Sequence, residues 1–425
     1  MSLSYELIRA YTETLKEELI PAMGCTEPIA IAYASSIASH ALSAYPKRLR
    51  VGLSGNIIKN VKSVIVPLTG GMHGINSAIC AGIIAKAPEK KLQVLCAIDD
   101  TTKIREYQAS VSMEIYELDT KNDFEIFIEA ENDGHSVQVR LAKRHTNIVS
   151  VILNGADITE SYHTESDQVE KSSTDRSLLT VENIVEFAKS VDLCELKPYL
   201  DRQIQMNMAI AQKGISEEFG ASIGKTLLET GSKDLRTKAR AYAAAGSDAR
   251  MSGCELPVCI ISGSGNQGIC ASVPVIIYAR ELNVSEDKLY RALIISDLIT
   301  IHQKTGIGCL SAYCGAISAG CGCGCGICFL KGGDYYEIAH TLVNSVAILS
   351  GTICDGAKCS CAAKIAMAVE AGIMGMEMTF SNHQFYSGEG IVTKGVENTI
   401  FNIGRLAKQG MSETDREIIK IMLGK

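Results

Sequence analysis

Residues 306–330, GIGCLSAYCGAISAGCGCGCGICFL, contain no charged side chain. Such a run is long enough to cross a bilayer, which takes about 20 apolar residues. Its middle, however, alternates glycine with cysteine, and these are too small and too weakly apolar for a good lipid-facing helix. The better reading is a helix buried at the centre of a large soluble domain. The sequence around it agrees. From residue 181 onward the apolar residues recur at helical spacing, predicting helices near 181–190, 194–213, 217–229, 234–251, 269–282, 285–302, 310–330, 335–353, 361–374, 398–408 and 413–422.

Upstream the pattern changes. Residues 48–54, 92–97, 111–118, 124–130, 136–142 and 147–153 show the alternation or β-branched enrichment of strands. Asn132-Asp133-Gly134 marks a hairpin turn between two of them. A helical run at 75–86 interrupts the strands. Residues 161–175 are rich in Ser, Thr and Glu and read as an exposed connection. The chain begins with an amphipathic helix at 3–20. The breaker Pro21-Ala22-Met23-Gly24 follows, then a second helix from Cys25-Thr26-Glu27-Pro28 to about residue 45. The expected fold class is therefore α+β. A large all-helical domain would be built from both chain ends, 1–45 and 166–425, with a smaller α+β module inserted at 46–165. The first two helices are expected to pack on the C-terminal helices.

The composition narrows the function. With 41 basic and 48 acidic residues the net charge is −7, which argues against nucleic acid or an anionic membrane as partner. A small molecule is the expected partner, and a homo-oligomer is compatible with the composition. The charged N-terminal helix does not read as a signal peptide, so a cytoplasmic location is expected. In that setting the 16 cysteines are reduced thiols or metal ligands rather than disulfides.

Several residues could carry chemistry. Cys25 stands at a helix start, where unpaired N–H groups and the helix dipole favour a thiolate able to act as base or nucleophile; Glu27 works against it. A buried structural cysteine is the competing reading. Gly263-Ser264-Gly265-Asn266-Gln267-Gly268 lies between an apolar run and a helix, a setting in which backbone amides bind a carboxylate or phosphate. Its spacing is not that of a dinucleotide site, and a plain interhelical turn would look similar. Ser54-Gly55-Asn56 and Thr69-Gly70-Gly71-Met72-His73-Gly74 are further polar, glycine-rich loops that either line a site or punctuate the fold.

Ten of the 16 cysteines fall between Cys270 and Cys361. On a helix Cys321, Cys323 and Cys325 point in alternating directions, so they read as small core residues. Cys309, Cys328 and Cys359 have no assigned role. Cys354 and Cys361 differ, because they flank Asp355-Gly356-Ala357-Lys358, a polar interruption between two apolar helices. Iron–sulfur clusters are held by cysteine thiolates, and one ligand can come from a distant helix.

The stretches Met23-Gly24-Cys25-Thr26-Glu27-Pro28, Ser54-Gly55-Asn56, Leu68-Thr69-Gly70-Gly71, Gly263–Gly268, Cys314-Gly315-Ala316 and Ile353-Cys354-Asp355-Gly356-Ala357-Lys358 resemble those of the L-cysteine desulfidases. These are relatives of the α-domain of bacterial iron–sulfur L-serine dehydratases. The resemblance covers nearly the whole chain. It implies a [4Fe-4S] cluster on Cys314, Cys354 and Cys361, whose separations of 40 and 7 residues look like the family pattern. It implies Cys25 as the base. The substrate carboxylate would lie on Ser264, Gly265, Asn266, Gln267 and Gly268, with Thr26, Asn56 and His73 as further substrate contacts. The implied reaction is β-elimination from a small L-amino acid, most simply L-cysteine to pyruvate, ammonia and sulfide. An L-serine dehydratase of the same type is the alternative. From other classes, a pyridoxal-phosphate enzyme would use the 263–268 loop for phosphate, although no lysine stands out as its partner. A non-catalytic amino-acid or metal binder is also compatible with the sequence.

Overall fold

The computed structural model describes residues 3–163, 174–308 and 310–424. Strands β2 (Arg48–Leu53), β3 (Ser112–Glu117), β4 (Glu125–Asn132), β5 (His135–Ala142), β6 (Ile148–Leu153) and β7 (Ala156–Asp157) form one sheet in the order β3-β2-β4-β5-β6-β7. Only β2 and β3 run parallel, and the connection between them carries helices, as a parallel crossover requires. The β4–β5 hairpin turns through Asp133 and Gly134, both at positive φ, between the paired residues Asn132 and His135. That is the two-residue turn the sequence announces.

Alternation gives the sheet two different faces. Leu49, Val51, Leu53, Ile126, Ile128, Val137, Val139 and Leu141 are buried on one side. On the other, Arg50 bridges Glu114 (3.0 Å) and Glu129 (2.9 Å) in the open. The apolar face is covered by α2 (Thr26–Leu42), which also packs on α4 (Gly74–Ala85). A Cβ on Gly82 would lie 2.1 Å from the Ala32 carbonyl oxygen; this glycine is what lets the two helices touch. Here the structure corrects the sequence reading. Helix α1 (Tyr5–Glu18) joins the C-terminal helices, whereas α2, within the expected 1–45 segment of the helical domain, packs on the sheet. Its side chains are buried from Thr26 to Ser39, and the sheet is the surface that satisfies them.

Two local expectations also change. Residues 92–97, read as a strand, belong to a run of tight 3-10 turns at Pro88–Ala97, and α3 (Gly55–Val61) and α5 (Thr101–Ser110) were not anticipated.

Among the described residues after 174, all regular elements but one are helices. In order come α6 (Val181–Ser190), α7 (Lys197–Ser216), α8 (Ile223–Thr230), α9 (Leu235–Met251), α10 (Gly265–Glu281), α11 (Glu286–Ile307), α12 (Gly315–Leu330), α13 (Tyr335–Ile348), α14 (Ser360–Phe380), α15 (Val396–Arg405) and α16 (Ser412–Leu423). The exception is β8 (Pro257–Cys259), which pairs antiparallel with β1 (Pro21–Met23) and ties the chain start to the helical part.

Helix α12, from the opening run, is the hub, contacting α10, α11, α13 and α14. A Cβ on Gly320 or Gly324 would meet the Ala368 or Gly372 carbonyl oxygen of α14 at 2.3 or 2.5 Å. One on Gly322 or Gly326 would meet the Ser296 or Ala292 carbonyl oxygen of α11 at 2.5 or 2.8 Å. Glycines four apart share a face, so the Gly-Cys alternation makes two glycine grooves, one for each neighbouring helix. The cysteines fill the space between. Among the described residues no helix is long and apolar enough to cross a membrane.

Candidate functional site

The β1–β8 pair brings two distant loops together. Beyond β1, Gly24 adopts φ +58°, and a Cβ there would stand 2.3 Å from the Pro67 ring; both facts demand glycine. Cys25 then caps α2 through its backbone, with no capping hydrogen bond between its side chain and the helix backbone. Beyond β8 the chain reverses through Ser262 (φ 48°) and Gly263 (φ 73°), closed by mutual backbone hydrogen bonds between Ile261 and Ser264. Helix α10 therefore starts at Gly265, beside α2, and the Thr26 hydroxyl donates to the Gly263 carbonyl at 2.8 Å.

The cysteine loops meet by a different device. Tyr313 and Ile353 form an isolated antiparallel bridge. The Cys314 N–H donates to Thr352 O (2.9 Å) and the Cys354 N–H to Ala312 O (2.6 Å). Residues 40 apart in sequence thus face one another across a single β-bridge. Cys361 lies in the first turn of α14, its N–H bonded to Lys358 O at 2.9 Å.

These parts enclose one cavity of ≈ 100 Å³, lined by Cys25, Ser264, Asn266, Gln267, Cys314, Cys354 and Cys361 among others. Cys314 shares a hydrogen bond with Cys354, which holds the Cys354 thiol down to about 6, with Lys59 and Lys364 assisting against the cost of burial. Cys314 is pushed well above the ordinary thiol value by the same contact and by burial. Among the described residues no three His, Cys, Asp or Glu side chains are grouped tightly enough to hold a single metal ion. An iron–sulfur cluster is a larger body with thiolate ligands. Three cysteines around one cavity, one of them easily ionised and with lysines close by, suit that anionic group in donor chemistry and in charge.

Cys25 does not behave as its helix position suggests. Its thiol is buried and donates to Glu27 Oε2 at 3.1 Å. Burial first, then the Glu27 charge, pushes it well above its usual value, while Arg250 pulls the other way. Glu27 is equally buried, yet His145, the Cys25 thiol and Arg250 hold its carboxyl below the usual range in spite of desolvation. Asn60 Nδ2 donates to its second oxygen at 3.0 Å. In this state the pair is a thiol beside a carboxylate.

Arg250, at the end of α9, is 2 % exposed, lines the cavity and has no partner for its Nε. Gly265 makes room for it: a Cβ there would fall 2.4 Å from that Nε. Asn266 Oδ1, Gln267 Oε1 and Tyr313 OH are also buried without partners among the described residues. Gly265 and Gly268 shape the loop without lining the cavity, a Cβ on Gly268 falling 2.0 Å from the Cys259 carbonyl oxygen.

Three further expected substrate contacts do not line the cavity. The Thr26 hydroxyl is taken up by the Gly263 carbonyl and Glu27. His73 caps α4 and is exposed. Asn56 is buried in the first turn of α3 but does not line the cavity; Asn60, one turn on, does. Cys309 lies outside the described residues. Sequence reasoning missed Glu27 as a partner, Asn60, Arg250, Lys304 and Tyr313. Glu27 was visible inside the first motif, but nothing local marks an arginine at the end of α9.

Comparisons with known proteins identify the family. The family model described as serine dehydratase alpha chain matches residues 89–420. A UPF0597 protein of Desulfitobacterium hafniense is 53% identical over 417 residues, covering 98% of this chain and 96% of the relative. UPF0597 proteins of Lachnoclostridium phytofermentans and Treponema denticola are 45% and 42% identical, covering 97% and 100% of this chain and 98% and 100% of theirs.

Proposed function

The chain belongs to the serine dehydratase alpha-chain family, and from that premise we propose that it is an iron–sulfur-dependent lyase converting L-cysteine to pyruvate, ammonia and sulfide. The observation that carries the proposal is the shared cavity, where the α10 N-terminus, the Cys25–Glu27 pair and Cys314, Cys354 and Cys361 all meet. Its ≈ 100 Å³ suits a small amino acid and leaves little room for a long side chain. The family description favours L-serine, with loss of water, as a second reading.

Cys314, Cys354 and Cys361 would hold the cluster, which when bound supplies a Lewis acid for the leaving sulfur or oxygen. The rest of the work falls to the protein's own groups. The substrate carboxylate is received by the N–H groups that open α10 and by the buried Arg250 guanidinium, which together offset its desolvation. Asn266 and Gln267 bring unpaired carbonyl oxygens that accept hydrogen bonds from the ammonium.

The proton acceptor is the Cys25–Glu27 pair rather than Cys25 alone. The pair holds one proton between sulfur and carboxylate, and the substrate Cα gives it a second. Passage of the first proton along the 3.1 Å contact to Glu27 Oε2 frees the sulfur to take the second. The buried, largely apolar surroundings exclude water and strengthen each of these charges. The test is anaerobic preparation with iron and sulfide analysis, then measurement of pyruvate released from L-cysteine and L-serine. Iron-loaded protein that releases pyruvate from neither overturns the proposal, and release from L-serine alone selects the second reading.

A further inference from the structure

A second and larger cavity, ≈ 400 Å³, adjoins the first and takes no part in the chemistry above. Its walls come from the end of α1, the turn between β5 and β6, the Ser262-Gly263 turn and the end of α11. One residue, Lys304, lines both cavities and is only 5 % exposed. His145 presses on the shared wall: a Cβ on Gly263 would stand 3.0 Å from its Cε1. The Gly263 carbonyl accepts from Thr26, which stands between Cys25 and Glu27 of the reactive cavity.

The charges in the outer cavity are divided by wall. Glu17 and Glu18 stand together on α1. Arg176 pairs with both, at 3.3 Å from Glu17 and closely with Glu18, so two carboxylates share one guanidinium and that wall keeps a negative excess. On a separate element, the β5–β6 turn, Lys143 and Arg144 sit side by side, both exposed. The lining also includes apolar Ile20, Phe124 and Ile260, and two polar atoms without partners among the described residues, His145 Nε2 and Ser262 Oγ. A free α-amino acid is a zwitterion at neutral pH, with its charges on adjacent atoms and an apolar or polar remainder. Walls of opposite sign around a partly apolar floor match that ligand class.

We propose that the outer cavity captures free α-amino acids and passes them to the reactive cavity, with the Lys304 side chain as the partition. This rests on the amino-acid lyase reading above. The carboxylate meets Lys143 and Arg144, and the ammonium faces Glu17. The outer volume takes amino acids of many sizes, so selection for a small side chain occurs beyond Lys304, in the reactive cavity of ≈ 100 Å³.

The sequence provides a clean probe, because the chain has no tryptophan. Thr305→Trp puts a single indole at the outer cavity, and Thr146→Trp does the same from the β5–β6 turn if position 305 does not tolerate it. The full-length, anaerobically prepared protein is titrated with L-alanine, an α-amino acid without a leaving group at Cβ. We expect a saturable change in indole emission. Adding Lys143→Glu and Arg144→Glu should raise the half-saturating concentration about 10-fold. It should raise the KM for L-cysteine or L-serine by a similar factor while kcat and iron content stay unchanged. Emission that ignores L-alanine in both indole variants overturns the proposal, as does a charge reversal that moves neither the titration nor KM. A normal titration in protein that never forms pyruvate counts against the lyase reading alone.

Discussion

Cys314 caps α12, and Cys321 lies two turns further along the same helix, yet the two thiols belong to different kinds of structure. Cys321, Cys323, Cys325 and Cys328 are fully enclosed by α10, α11, α13 and α14, and burial is the main cause that pushes Cys321 and Cys328 up to about 12. Cys314, Cys354 and Cys361 sit where helices start or the chain bends, half-buried, with another thiol or lysine in reach. What separates the sets is the backbone around them. A continuous helix spends its N–H groups internally and offers a side chain only packing. A loop held by one β-bridge, with Gly356 at φ +93° and the Lys59 carbonyl oxygen 2.3 Å from where its Cβ would be, leaves sulfur facing a cavity.

The sharpest way to break that contrast is to make one substitution in both sets. Cys354→Ala should abolish iron binding and turnover together, read by iron analysis and pyruvate release. Cys323→Ala should keep both. Loss of iron from the Cys323 variant would erase the distinction.

The next effect separates holding the cluster from moving the proton. Glu27→Gln and Cys25→Ala should each retain iron while lowering kcat by roughly 10²–10⁴. The double variant should fall little further than either single one, because the two groups act as one acceptor. Multiplicative losses would mean that they act separately.

Buried carboxyls repeat the contrast. Glu27 faces the cavity with donors around it and stays ionised. Asp297, in the middle of α11, has only Gln203 Nε2 at 3.0 Å, and burial raises its carboxyl to about 8. Between an unfolded value near ~4 and that folded value, the native state keeps a proton the unfolded chain has lost. Stability should therefore fall as pH rises through this window, by at most about 1.4 kcal/mol per pH unit from this group, and level off above it. Asp297→Asn should flatten that part of a pH series of denaturant midpoints. An unchanged slope would show that Asp297 is not its source.

Packing of the hub ranks below these. Gly324→Ala puts a methyl 2.5 Å from the Gly372 carbonyl oxygen and should cost about 1–3 kcal/mol of stability through overpacking. Iron per folded molecule should not change, since the groove lies away from Cys314, Cys354 and Cys361.

Much of this was legible in the sequence because the signals were local. The Gly-Cys run announced a buried helix, Asp133-Gly134 its hairpin, and the 263–268 loop a helix start beside a site. Three kinds of information were not local. The pairing of β1 with β8 rests on three residues from each side, too few for any period to show. The placement of α2 depended on a choice between two apolar surfaces, and a helix buried all round carries no preferred face to decide it. Arg250 reaches the cavity only because Gly265, on another element, leaves space. His73 misled for the converse reason: a histidine in a glycine-rich loop looks catalytic, but this loop caps a helix at the surface.

The smallest effect tests the packing side of the comparison alone. Cys321 is 2 % exposed and no hydrogen bond from its thiol is present among the described residues, so its sulfur contributes as a small apolar group. Removing it leaves a gap close to one methylene in size, and α12 cannot relax inward because Gly320 and Gly322 already bring it against α14 and α11. Cys321→Ala should therefore cost about 1 kcal/mol, the transfer term for one such group with a small cavity term added. Denaturant unfolding at fixed pH should show the midpoint moving with the slope unchanged, and iron content and kcat should equal those of the parent. A change in kcat without loss of stability would place Cys321 in contact with the reactive cavity and move the boundary between the two cysteine sets one helical turn or more into α12.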